Sequence, residues 1–407
     1  MLIYDTRYRS ITFQIIALIA FLTLIGWIIN NTAQNLADLG KEPSFRFLSE
    51  PAGYDINQRL IDYTSQSTHL RAAFVGLLNT LLVAVMGCAL ATVLGVFIGV
   101  LRLSKNWVVS RIMTVYVEMF RNVPVLLWIV LIMAIMIETL PAPRAFKGDS
   151  PDATMKLFDT IALTNRGAYA PEPLFTRSLG DLHLFGQSSL NFNISLDLLV
   201  LLVVFFGGLF VSRKIKTRAD KIQESTGERP TTWYLRLGVV VVPIIIVLIA
   251  LGFHLGYPEL KGFNFKGGTY MRNSLIALWL ALSLYTAAFI AEIVRAGILA
   301  ISHGQTEAAG ALGLRPGRIM NLVVLPQALR IIIPPLISQY LNLTKNSSLA
   351  IAVGYMDITG TLGGITLNQT GRELETLLLL MLIYLCISLS ISMVMNWYNK
   401  RVALVER

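Results

Sequence analysis

Cysteine is nearly absent from this chain. Cys88 and Cys386 are the two among 407 residues, and both stand inside apolar runs. That excludes a disulfide framework. Histidine is almost as sparse, four in all, with no spacing that suits a metal ion. Charge is short too: 14% of residues are Asp, Glu, Lys or Arg, where soluble domains carry about 25%. With 55% hydrophobic residues and a mean hydropathy of +0.63, an ordinary soluble globule is excluded. No G-x-x-x-x-G-K-[ST] occurs, so the chain brings no phosphate-binding loop of its own. No paired acids, Ser-His or H-E-x-x-H stand at a recognisable spacing, which excludes the common membrane-protease chemistries. No small-residue cleavage site follows the first apolar run, where Ile28-Ile29-Asn30-Asn31 stands. That run reads as an uncleaved span, not a signal peptide.

Long apolar runs are what the chain does have. A bilayer needs about 20 apolar residues per helix, and runs near 12–29, 74–101, 112–137, 196–212, 237–253, 274–295, 331–353 and 377–397 qualify. The expected fold is an all-α polytopic membrane protein of about eight transmembrane helices. The net charge is +10, and in such a protein the excess belongs to cytoplasmic loops, not to nucleic acid. Arg7 and Arg9 precede span one, and Arg102, Lys105 and Arg111 lie between spans two and three. Arg213, Lys214, Lys216, Arg218, Lys221, Arg229 and Arg236 crowd the link between four and five. Arg295, Arg315, Arg318 and Arg330 fall between six and seven, and Lys400, Arg401 and Arg407 close the chain. Every odd gap is basic, so both termini are expected inside. Residues 30–73 and 138–195 are then outer loops, polar and rich in aromatics. Gly87, Ala91, Gly95 and Gly99 repeat at i,i+4 in span two, a stripe that lets another helix approach closely.

The stretch from Ile301 to Pro326 is the longest polar-bearing segment of the C-terminal third. Ser302 and Gln305 have capping-box spacing. Ala308, Ala309, Ala311 and Leu312 favour helix. Gly313 suits a left-handed C-terminal cap, and Arg315-Pro316-Gly317 reads as a turn. A second short helix is expected from about Arg318 to Leu325. Glu307-Ala308-Ala309, Gly310, Gly313 and the later Leu325-Pro326 resemble the EAA motif of importer-type ABC permeases, with Val323 where isoleucine is usual. The resemblance implies that this loop docks into a separate cytoplasmic ATPase.

Three spans carry polar residues. Glu118 and Arg121, at i,i+3, can pair on one helix face, and Pro124 marks a kink or a true helix start. Glu292 and Arg295 are spaced alike near the end of span six, as a structural pair or a gate contact. Span seven opens at Ile331 through Pro334-Pro335. It is then interrupted by Gln339, Asn342, Thr344, Lys345, Asn346, Ser347 and Ser348. These cannot face lipid. Lys345 could attract a carboxylate, or could pair with Glu118 or Glu292. Val117-Glu118-Met119-Phe120-Arg121, Ala291-Glu292-Ile293-Val294-Arg295 and Leu343-Thr344-Lys345-Asn346-Ser347-Ser348-Leu349 are similar to segments of polar amino acid permeases of the histidine-permease type. Asn122-Val123 departs from the glycine-threonine pair common there.

The resemblance covers 74–137 and 271–397. It implies the five-helix core of a type I ABC importer permease, with 138–270 and the first helix as additions, as in the larger permease subunit of general L-amino acid importers. The division expected is 1–73, a first helix and outer loop; 74–137, the first core segment; 138–270, an inserted outer loop and transmembrane hairpin; and 271–407, the second core segment. The implied partners are a homologous permease subunit, two ATP-binding cassette subunits and a periplasmic amino-acid-binding protein, in a bacterial inner membrane. ATP and magnesium would be held by the ATPase, and no cofactor by this chain. Candidate pathway residues are Glu118, Glu292, Gln339, Asn342, Lys345, Asn346 and Ser347. An ion-gradient-driven amino acid transporter is the alternative; it predicts matching inverted halves, and no such halves are visible in the sequence.

Overall fold

The computed structural model describes residues 6–402 apart from 39, 41–42, 149–151, 187, 189 and 229. Arg229 and Arg407 therefore lie outside the described residues, as do the side chains of Arg7, Lys400 and Arg401. In chain order the helices are α1 (Thr6–Asp38), α2 (His69–Leu101), α3 (Trp107–Asn122), α4 (Val125–Thr139), α5 (Leu196–Thr226), α6 (Trp233–Leu251) and α7 (Asn273–Leu299). They continue as α8 (His303–Ala311), α9 (Pro316–Ile319), α10 (Leu325–Asn346), α11 (Leu367–Thr370) and α12 (Glu373–Val402). Among the described residues seven stretches are long and apolar enough to cross a bilayer, or eight if the bent pair α3–α4 forms one span.

That pair corrects the expected continuous span at 112–137. α3 and α4 meet at 107°. Val123 before the proline is extended, at φ −110 and ψ 132, because the proline ring disfavours the helical region for it. Pro124 is a true helix start. Two other boundaries also move. α5 runs on past 212 to Thr226, carrying the basic residues with it. The seventh span opens well before Ile331, and Pro334-Pro335 sit inside α10.

α7 is the hub. Its buried face includes Leu278, Leu282, Ile290 and Val294, which join Val83 and Ala91 of α2, Ile129 of α4, and Ile332 and Leu343 of α10 in one core. The small-residue stripe of α2 is the seam that makes this possible. A Cβ on Gly95 would stand 2.6 Å from the Ile290 side chain and 3.0 Å from the Ala287 carbonyl. One on Gly99 would stand 2.7 Å from the Ala291 carbonyl. By contrast, none of the apolar window of α1 is buried. α5 and α6 pack on each other, where Gly208 meets the backbone of Val239 and Val240.

The outer loops hold strands that a reading of 138–195 as solvated loop lacks. These are β1 (Ala162–Thr164), β2 (Gly167–Ala170), β3 (Glu172–Phe175), β4 (Asp181–Leu184), β5 (Phe192–Ser195), β6 (Phe253–Gly256), β7 (Glu259–Lys261), β8 (Asn264–Lys266) and β9 (Thr269–Arg272). They form a three-stranded antiparallel sheet β1-β2-β9 and three two-stranded ribbons, β3-β6, β4-β5 and β7-β8. Tyr169 stacks on its cross-strand partner Tyr270 and packs with Phe265 over a small core. Strands this short show too little alternation to be read, and β2 and β9 pair across the whole α5–α6 hairpin. The sheet sits at the outer end of α7, because β9 runs directly into it.

Candidate functional site

Two surfaces hold the residues singled out above. The first is the loop between α7 and α10. Ser302 occupies the N-cap of α8, but its hydroxyl makes no capping bond, so the capping box is not formed. The helix ends as expected. Gly313 is left-handed at φ +77. Its N–H donates to the Gly310 carbonyl (2.9 Å), and the Leu314 N–H donates to the Ala309 carbonyl (3.3 Å). This pair of bonds is a Schellman motif, which satisfies carbonyls that a helix end leaves free. Glu307, Ala308 and Gly310 are exposed, and Ala309 is buried. Glu307 is not unengaged: its Oε1 lies 2.9 Å from His303 Nδ1, one helical turn earlier.

Reversal at Gly313 pushes Leu312 outward until it is 82% exposed. Sequence reasoning counts Leu312 only as a helix former. Its place directly before Gly313, a large apolar side chain at the end of an alanine-rich helix, is the signal that could mark it. Gly313→Val should cost about 1–2 kcal/mol, since a branched Cβ clashes in the left-handed region. The α8 end would then rearrange, and limited proteolysis should cut several-fold faster within 301–326 while membrane levels of the protein hold.

The expected second helix at 318–325 is not separate. α9 passes through a π turn at Met320–Val324 straight into α10. The cause is Pro326, which has no N–H to offer the Leu322 carbonyl. The Leu325 N–H bonds the Met320 carbonyl instead, five residues back. Leu325 and Pro326 are exposed, and Val324 is buried. The loop is thus joined to a transmembrane helix by unbroken helical backbone.

The second surface is one side of α10. Ile332, Ile333, Ile337, Leu343 and Thr344 are buried in the bundle, whereas Pro334, Pro335, Ser338, Asn342 and Lys345 are exposed. Those exposed positions recur at helical spacing and form one bare stripe. The two prolines add to its polarity, because the carbonyls of Arg330 and Ile331 lose their helical donors. Gln339 and Asn346 flank the stripe, half-buried. Ser347 does not belong to it. It is fully buried and its hydroxyl donates to the Thr344 carbonyl (2.8 Å). The backbone tightens into a 3-10 helix there, which turns the side chain inward.

Lys345 pairs with neither Glu118 nor Glu292. Glu118 is exposed on α3 and accepts a hydrogen bond from Asn122 (3.1 Å). Its expected partner Arg121 turns away, over the Phe289 ring at 5.5 Å and toward Glu292 at 3.9 Å. Glu292 does pair with Arg295, at 3.2 Å. It also takes a short hydrogen bond from Arg102, whose side chain is 7% exposed. One carboxylate thus ties the ends of α2, α3 and α7 together. In the sequence Arg102 serves only as a marker of the inner side. Its distance of 190 residues from Glu292 hides the contact. Asp357 also escapes a reading by motif. It is fully buried, accepts from the Gly360 N–H (2.8 Å) and the Tyr384 hydroxyl (3.3 Å), and pins the turn after α10 to α12. Among the described residues no cluster of His, Cys, Asp or Glu could hold a metal ion.

Known proteins share this sequence closely. Residues 230–404 match the family described as binding-protein-dependent transport system inner membrane component. The glutamate/glutamine/aspartate/asparagine transport system permease protein BztB of Rhodobacter capsulatus is 59% identical, over 100% of this chain and 96% of that protein. The putative amino-acid ABC transporter permease protein YhdX of Escherichia coli is 44% identical, over 98% of this chain and 95% of that protein. The general L-amino acid transport system permease protein AapQ of Rhizobium johnstonii is 43% identical, over 99% of this chain and 94% of that protein. Among solved structures, an amino acid ABC transporter aligns with 82% of this chain and 95% of its own, at 17% identity and a TM-score of 0.44.

Proposed function

Because this chain belongs to the permeases of amino acid ABC transporters, we propose that it moves acidic amino acids and their amides along the bare stripe of α10. The observation that carries this reading is Lys345. Its side chain is exposed on a helix that crosses the bilayer, beside Asn342 and Ser338. Lysines within membrane spans almost always face a bundle interior or a water-filled cavity, not hydrocarbon. Lipid is therefore excluded as its surroundings, and so is a carboxylate of this chain among the described residues. A homologous permease subunit covers the stripe, and the two chains enclose a polar passage between them. There Lys345 meets the carboxylate of the passing substrate. The acidic and amide substrates follow from those named for the relative at 59% identity.

The same reading gives the loop around Leu312 its work. Two ATP-binding cassette subunits bind ATP and magnesium and seat α8 in a groove. Closing of the ATPases displaces α8, and the unbroken α9–α10 backbone delivers the displacement to the stripe. A periplasmic binding protein delivers the amino acid to the outer strands. Substrate has to contact the outward and inward states differently for ATP to drive it, and a stripe on a moving helix provides that difference.

Lys345→Gln and Lys345→Arg test the reading in proteoliposomes holding the whole transporter, its binding protein and ATP. Uptake of glutamate should fall at least tenfold with glutamine as the replacement. Uptake of the neutral substrate glutamine should fall less, and arginine should restore most of the loss. An equal fall for both substrates, or none, would overturn the assignment.

A further inference from the structure

The α5–α6 hairpin stands apart from the central core, which holds no residue of either helix. Its own seam uses one side of α5. Gly208 meets Val239 and Val240 there, and Ser212 Oγ accepts from Arg236 Nε (3.4 Å). The other side of α5 carries Leu199, Val203, Phe206 and Phe210, then Lys214, Thr217 and Lys221. Steps of three or four residues place these on one helical stripe. All of them are exposed.

The stripe changes chemistry where the bilayer does. α5 has 31 residues, or about 46 Å at 1.5 Å per residue, against a hydrocarbon thickness of about 30 Å. Counted from Leu196, the helix leaves the hydrocarbon near Arg213. Trp233 and Tyr234 open α6 at the same level, beside the Arg236 that meets Ser212, and both are exposed. Such rings favour the membrane–water boundary. Arg213, Lys214, Lys216, Arg218 and Lys221 follow in close order, and no acid stands between Leu198 and Ala219. None of these five cations forms an ion pair among the described residues. Lys214 Nζ rests over the Phe210 ring at 4.7 Å, joining the apolar and basic halves. A shallow groove runs along the junction between Phe210, Val211, Arg213, Lys214, Arg218 and Lys221. Topology alone asks for an excess of positive charge on the inner side, and it asks for no alignment with an apolar stripe. Arg102 and Arg295, also on that side, are already committed to Glu292.

We propose that this stripe binds an anionic phospholipid of the inner leaflet. An acyl chain lies along Leu199, Val203, Phe206 and Phe210. The phosphate sits at Lys214 and Arg218, with Lys221 one turn beyond. Clusters of four to eight Lys and Arg directly inside a membrane helix attract anionic headgroups in this way. The occupant has to be apolar over one half and anionic over the other. A free phosphate, or an acidic protein segment, would use the basic half and leave Phe206 and Phe210 bare. The hairpin is thereby held by the inner leaflet, not by the helix core. The inference goes beyond the importer reading and holds whichever amino acid passes.

The test places the whole transporter in nanodiscs of phosphatidylcholine. A small share of phosphatidylglycerol carries a photoreactive diazirine on its acyl chain, and cross-linked peptides are mapped by mass spectrometry. A basic residue near an anionic lipid contributes about fivefold. Labelling of 199–211 should therefore exceed that from the same probe on phosphatidylcholine by about tenfold or more, a comparison that needs no substitution. Lys214→Gln, Arg218→Gln and Lys221→Gln together should remove that excess, and Lys214→Arg with Lys221→Arg should keep it. Labelling of α12 at Leu382 and Leu389, exposed residues on another span, should be the same in every variant and reports insertion in the same sample. Lys105→Gln with Arg111→Gln removes exposed cations elsewhere on the inner side and should change nothing. Equal labelling by the two probes, no fall in the triple variant, or an equal fall with Lys105→Gln and Arg111→Gln would overturn the site. So would no labelling of 199–211 at all, which would mean that protein covers the stripe, or loss of labelling on adding inorganic phosphate, which would mean that the cations hold a free anion.

Discussion

Replacing Leu312 with aspartate should strip the purified transporter of its ATPase and reduce uptake by two orders of magnitude or more. Leu312 is 82% exposed at the tip of the loop, held out by the left-handed Gly313. That exposure leaves its apolar surface with value only against a partner. A central apolar anchor of an interface is worth about 2–4 kcal/mol when truncated, and a buried unpaired carboxylate adds a desolvation cost on top. At about 1.4 kcal/mol for each factor of ten, the lower bound already reaches about thirtyfold. The position stands clear of the membrane bundle, so expression and insertion should be unchanged. Glu307 offers a comparison. It already bonds His303 at 2.9 Å, so Glu307→Gln should weaken ATPase retention much less than Leu312→Asp. Normal ATPase co-purification with Leu312→Asp would remove the coupling role from this loop.

Gly95→Val should have the largest effect on the protein itself. The new Cβ would stand 2.6 Å from Ile290 and 3.0 Å from a backbone carbonyl of α7. The side chain could shift, but the carbonyl belongs to a helix held on several sides by α2, α4 and α10. Overpacking a tight core costs about 1–3 kcal/mol for added methylenes, and valine adds a branched side chain at the closest point of the seam. The expected outcome is a sharp fall in folded, detergent-extractable protein and a lowered thermal midpoint. Gly95→Ala should fall between. Gly207 faces open space on α5, and the same valine there should be tolerated. Equal behaviour at the two positions would show that the seam does not hold the bundle together.

The apolar runs and the basic gaps were legible as transmembrane helices because lipid allows so few alternatives. Backbone groups in hydrocarbon must bond within their own segment. Family membership then removes the gradient-driven alternative. The end of α8 was legible for a comparable reason: a lone glycine after an alanine-rich turn specifies a left-handed cap from local sterics. Boundaries were less so. Pro334-Pro335 look like a start, yet neighbouring helices and the bare stripe let α10 continue through them, whereas Pro124 in the same kind of run separates two helices at 107°.

Side-chain partnership was the least legible. Spacing offered Glu118 with Arg121 and Lys345 with either acid, and none of these pairs forms. Arg102 reached Glu292 across 190 residues instead, and Ser347 turned inward where the helix tightened. Composition and local sterics by themselves determined that this chain spans a bilayer repeatedly, with a capped loop on the basic side. Which polar side chains stay bare along α10 and which are locked into the bundle depended on how α2, α7 and α10 approach one another. That approach is set by interhelical packing between distant segments, and no local pattern encodes it.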